Sequence, residues 1–128
     1  MILTIPASCG EVIDKLTILE IKLDRITDPA KRGNVSREHA ALSAAWAAAV
    51  PDPAPVAAAV AELRRVNEAL WDIEDEIREH ERQADFGARF VELARSVYRT
   101  NDRRAELKRE INARLGSALT EEKSYAAY

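Results

Sequence analysis

Cys9 is the one thiol in 128 residues, and it follows Ser8 directly, where a Ser8-x-x-Glu11 capping box opens a helix. A thiol at a helix N-terminus feels the positive end of the helix dipole and ionises more readily, the first requirement of a nucleophile. The second requirement is a base. The only histidines, His39 and His80, have no motif around them, so a small buried residue filling a turn is the plainer reading of Cys9.

Two histidines and one cysteine at wide spacing match no zinc pattern. Glu74, Asp75, Glu76 and Glu79 hold more promise, because Glu76-x-x-Glu79 places two carboxylates on one helix face. Carboxylate sets of this kind hold magnesium in all-α nucleotide pyrophosphatases. That chemistry needs a second acidic pair opposite, and the facing segment is basic, with Arg95, Arg99, Arg103, Arg104, Lys108 and Arg109. No catalytic residue, metal ligand or cofactor is assigned on this basis.

Polar residues beside the predicted apolar stripes say more. Tyr98, Asn101, Ala105, Lys108 and Asn112 form a second stripe along the last long helix. Asn67 interrupts the apolar run of the preceding helix and is expected near Asn101 and Asp102, while Lys15, Glu20 and Lys22 alternate with Leu and Ile in the first. Buried amides and charges are costly unless paired. One reading is a network that fixes helix register, as a core Asn does in coiled coils. The sharper reading is a pocket between the long helices for an anionic small molecule: a phosphate, a carboxylate or a sugar nucleotide. Lys15, Arg95, Arg99 and Lys108 would supply its charge, and Asn67, Tyr98 and Asn101 its hydrogen bonds. With the acidic and basic residues flanking them, the candidate ligand-binding set is Lys15, Glu20, Lys22, Asn67, Asp72, Asp75, Arg95, Tyr98, Arg99, Asn101, Asp102 and Lys108.

The elements that must position these residues are helices. Met1–Pro6 is a short extended arm, β-branched and closed by a proline. The helix after Ser8 carries a heptad seam of Val12, Leu16, Leu19, Leu23 and Ile26. Ile13, Ile18 and Ile21 lie outside that seam and predict more than one neighbour. Asp28-Pro29 ends the helix. A basic loop, 30–35, turns at Gly33-Asn34, and Ser36 caps a shorter helix to Ala49 marked by Leu42 and Trp46. Pro51, Pro53 and Pro55 break an Ala-Pro connector.

A long helix follows from Pro55 to Arg82, with Val56, Val60, Leu63, Val66, Leu70, Ile73 and Ile77 inward. Asp85 caps the next, which runs to Leu115 on a stripe of Phe86, Phe90, Leu93, Val97, Leu107 and Ile111, and Gly116 stops it. The connection is short, so these two helices form an antiparallel hairpin. Folding at Ala84-Asp85 brings Asp72 and Asp75 towards Arg95 and Arg99, mostly as surface pairs worth about 0–1 kcal/mol each. Tyr125 and Tyr128 suit the last segment, Thr120 onwards, to dock on the bundle or on a second subunit rather than fray.

Composition bounds the rest. A hydrophobic share of 47% beside 32% charged residues is a globular balance. A net charge of −3 argues against nucleic-acid binding, which rests on a basic surface. No apolar run approaches the roughly 20 residues that span a bilayer, and Met1–Pro6 lacks the basic flank of a signal peptide. A cytoplasmic location, with no membrane partner, is expected, and the single cysteine fits a reducing compartment.

Four blocks carry a resemblance: Gly10-Glu11-Val12-Ile13-Asp14-Lys15-Leu16-Thr17-Ile18-Leu19-Glu20-Ile21-Lys22, Leu70 to Arg78, Asn101 to Asn112, and Glu121-Glu122-Lys123-Ser124-Tyr125. Together they resemble a family of short helical bacterial proteins grouped as a domain of unknown function, over nearly the whole chain. The resemblance implies a setting beside glycosyltransferase and cell-surface polysaccharide genes, and no reaction. It places an apolar residue where Cys9 stands. The blocks contain most of the candidate polar residues.

The expectation is an all-α single domain, residues 1–128. An antiparallel long-helix hairpin carries an N-terminal helix and a short helix packed on it, a three- to four-helix bundle with coiled-coil packing and a short extended N-terminal arm. Its first helix has more apolar surface than one hairpin covers, which predicts a self-associating homo-oligomer, a dimer, or an accessory module for a protein partner. The rival is an enzyme or binding protein for an anionic small metabolite.

Overall fold

The computed structural model describes all 128 residues. The fold is all-α, with four helices: α1 Cys9–Arg25, α2 Pro29–Ala49, α3 Ala57–Arg82 and α4 Ala88–Leu115. A 3-10 turn, Ala54–Val56, leads into α3. No helix is long and apolar enough to cross a membrane.

α1 packs against each of the other three helices. Its first turn is unusually well satisfied. The Ser8 hydroxyl accepts from the Glu11 amide at 3.1 Å, Asn112 Oδ1 accepts from the Gly10 amide at 2.6 Å, and Ser117 Oγ accepts from the Cys9 amide at 3.2 Å. Three of the four amides that a helix start leaves without partners are thereby bonded. Leu16 and Leu19 of the expected seam are buried, but the most enclosed face also takes in Ile13, Asp14, Thr17 and Ile21, while Val12, Leu23 and Ile26 lie at its flanks.

The expected loop at residues 30–35 is helical instead. α2 is continuous from Pro29 and, at 21 residues, longer than the 17-residue α1. α1 stops at Arg25 with Ile26 as its cap, and Asp28 opens the next helix: its carboxylate accepts from the Lys31 amide at 2.9 Å, and Pro29 stands in the first turn, where a missing amide costs nothing. Arg32 then reaches back to the carbonyls of Leu23 and Ile26, bonding groups that the end of α1 leaves open. Gly33 and Asn34 have no positive φ and simply continue the helix. Val35, His39, Leu42 and Trp46 form the α2 face turned to the body, and most of its alanines are exposed.

α3 and α4 form the expected hairpin. Glu76–Arg89 and Glu62–Arg103, both at 2.7 Å, are centred on the same point of the chain, between Arg82 and Gln83, as antiparallel neighbours must be. The turn takes a Schellman-like form in which Ala84 holds φ 52°. The Asp85 amide bonds the His80 carbonyl at 2.9 Å, and the Ala84 amide bonds that of Glu81 at 3.0 Å. The cap of α4 is Gly87, not Asp85, which accepts from the Gly87 amide at 3.2 Å. At the far end Gly116 stops α4 with φ 63°.

The core lies at the open end of the hairpin, where Ile13 and Leu16 meet Val56, Ala59 and Leu63 on one side and Leu107 and Ile111 on the other. Cys9, Leu42 and Trp46 pack against it. Towards the turn the cover thins, and Phe86 and Val91 are exposed.

Candidate functional site: a polar layer and the segment that crosses it

A layer of polar side chains crosses the bundle where α1, α3 and α4 meet. Its centre is Asp14, only 1% exposed. Arg104 of α4 grips that carboxylate with two parallel bonds, Nε at 2.9 Å and Nη2 at 2.5 Å. Asn67 of α3 donates to it at 2.9 Å and to Thr17 Oγ1 at the same distance, while Thr17 donates to the Asp14 carbonyl at 2.7 Å. The hydrogen bond to Asp14 raises the Arg104 guanidinium above its ordinary pKa, against the opposing effect of burial. No buried side-chain polar atom lacks a partner.

The layer continues towards the start of α1. Gly10 is needed there, because a Cβ would stand 2.5 Å from the Lys108 carbonyl oxygen. Lys108 itself is buried, and its ammonium lies between Glu11 of α1 at 2.8 Å and Glu121 at 2.6 Å. Burial alone would lower the lysine's pKa, but the two carboxylates outweigh it and the net shift is upward. The hydrogen bond from Lys108 holds Glu121 below the usual carboxylate range.

Glu121 belongs to a non-helical segment that runs back along α4. Glu122 pairs with Arg109 at 3.2 Å, and Tyr128 lies beside Asp102 and 5.0 Å, ring to ring, from Tyr98. The segment therefore crosses the polar stripe of α4 and is pinned at three points.

The residues singled out in the sequence do not converge on one cavity. Lys108, Tyr98 and Asp102 meet the returning segment, with Asn101 half-buried on the same helix. Asn67 is in the core, bonded to α1. Glu20 pairs with Arg64, which also holds Asp24 and Glu68. Asp72, expected beside Arg95, pairs instead with Arg25, whose guanidinium lies 5.8 Å from the Trp71 ring. Asp75 edges a shallow groove of about 360 Å³ floored by Ile18, Leu70 and Trp71. Lys15 borders a separate groove beside the N-terminal arm. Lys22 is half-buried, and Arg95 and Arg99 are exposed.

Asp14, Arg104, Glu11 and Glu121 were missed. The usable signal was Asp14 and Thr17, one turn apart on a face with Ile13, Leu16 and Ile21. No three His, Cys, Asp or Glu side chains converge as metal ligands would. No family model matches the chain, and no curated protein or solved structure matches it either.

Proposed function

We propose that this protein is a self-associating helical module, a homodimer that serves as an accessory partner in the cytoplasm. One observation carries the reading: the folded chain exposes far more surface, much of it apolar, than its mass requires. Its accessible area is 8522 Å². A compact monomer of 14.3 kDa exposes roughly 6,800 Å². The surplus of roughly 1,700 Å² exceeds the about 800 Å² that each partner contributes to a standard interface.

The location of the apolar surplus supports the same reading. Ile2, Leu3 and Ile5 are 93%, 81% and 68% exposed on an arm held away from the body. Between arm and body runs a groove of about 720 Å³, lined by Val12, Leu42, the exposed Ala41 and Ala45, and Leu119. An isolated monomer gains nothing from presenting a row of aliphatic side chains to water. A second copy would cover the arm with its own groove and offer its arm in return, a self-complementary contact that closes as a dimer.

The rival, an anionic pocket between α3 and α4, has less support. Asn67 is engaged in the core by Asp14 and Thr17, and Arg95 and Arg99 stand exposed on α4 rather than facing it across a pocket. Light scattering coupled to size exclusion tests the proposal. A mass twice 14.3 kDa is expected, and a single-chain mass at high micromolar concentration overturns it.

A further inference from the structure

The segment that returns along α4 does not lie flat against it. Between them is a polar cavity of about 250 Å³, lined by Glu11, Arg104, Ala105, Lys108, Glu121 and Lys123. Ala105, the only apolar group in the lining, makes the room. Three cations face two carboxylates there, and the cations are not fully used. Arg104 commits Nε and Nη2 to Asp14, which leaves Nη1 without a protein partner. The Lys123 ammonium pairs with no carboxylate and lies 5.9 Å from the Tyr125 ring. Lys108 is buried and anchored by Glu11 on the capped first turn of α1. Its other partner, Glu121, sits on a segment outside any helix and is half exposed.

We propose that this cavity is a binding site for a small multivalent oxyanion, a phosphate or carboxylate compound, and that the Glu121 carboxylate occupies the site when the ligand is absent. When Glu121 leaves, three cations are left with two carboxylates, Glu11 on Lys108 and the Asp14 that Arg104 grips. An incoming anion keeps Lys108 paired and also collects Arg104 Nη1 and Lys123 Nζ, which Glu121 does not reach. Charge-assisted bonds of this kind are the strong ones. A water takes about 30 Å³ of liquid, so the space suits a ligand of roughly eight non-hydrogen atoms. Ala105 alone gives the lining apolar surface, too little for a ligand with a large hydrocarbon part.

Glu121 is tethered, so it competes at an effective concentration in the millimolar range. Removing its charge must therefore tighten ligand binding. Titration calorimetry at constant ionic strength, with inorganic pyrophosphate and, separately, succinate as probes, tests this on the full chain. Glu121→Gln is expected to bind one probe about tenfold more tightly than the parent, the factor for a segment docked nine-tenths of the time. Which probe binds identifies the oxyanion. Glu122→Gln, which frees Arg109 outside the cavity, should leave affinity unchanged. Lys123→Gln, at an exposed position that does not hold the fold, should weaken binding several-fold. The proposal is overturned if neither probe binds Glu121→Gln, if Glu122→Gln tightens binding as much, or if Lys123→Gln has no effect.

Discussion

Asp14 is the side chain through which three helices are tied. Breaking a buried pair leaves its partner charge uncompensated and costs about 3–5 kcal/mol. Asp14→Leu should lose stability on that scale in urea unfolding, and Arg104→Met similarly. The double variant Asp14→Leu with Arg104→Met should recover much of the loss, because neither charge is then stranded. Additive losses would contradict that account. Gly10→Ala should cost about 1–3 kcal/mol, since its Cβ would overlap the Lys108 carbonyl oxygen and the α1–α4 contact must open. The Lys108–Glu121 pair carries a pH dependence of two signs. Glu121 is lowered from 4.5, so its contribution is present above that value and fades as pH falls through the depressed one. Lys108 is raised from 10.5, so its contribution is present below that value and fades as pH rises through the higher one. Segment docking, followed by the amide resonances of residues 119–125, should be flat across neutral pH and weaken at both extremes.

The elements were legible where several local signals agreed. The caps at Ser8 and Gly116, the stripes Leu63 to Ile77 and Leu93 to Ile111, and the short connection between them all pointed to one hairpin. The sequence misled where one residue could play two parts. Asp28-Pro29 signals a helix end and equally a helix start, and Gly33-Asn34 looks like a turn unless Arg32 is known to be holding the end of α1. The polar residues were recognised as a group, but their partners were not. Pairing depends on how α1 crosses the hairpin, which periodicity within one helix does not encode. Ala84 holds a left-handed conformation that glycine adopts without strain. Ala84→Gly should therefore stabilise the hairpin by about 1 kcal/mol, read as a higher unfolding midpoint at unchanged slope. A lower midpoint would mean that the turn carries no strain.

At the scale of the molecule, the fold leaves one apolar element with nothing to cover it. Only 19 of 128 residues are buried, and the arm Met1–Ala7 is exposed throughout. α1 is covered by its own chain on three sides, so the apolar surplus expected of that helix is met largely within the monomer. The surplus that remains lies on the arm, on the alanine face of α2 and around Leu119. Sedimentation equilibrium on the parent chain and on a variant with Ile2→Ser, Leu3→Ser and Ile5→Ser tests this most directly. None of the three side chains is buried, so the variant should fold as the parent does, as circular dichroism will show. The parent should sediment as a dimer and the variant as a single chain. Equal masses for the two, whether both dimeric or both monomeric, would contradict assembly through the arm.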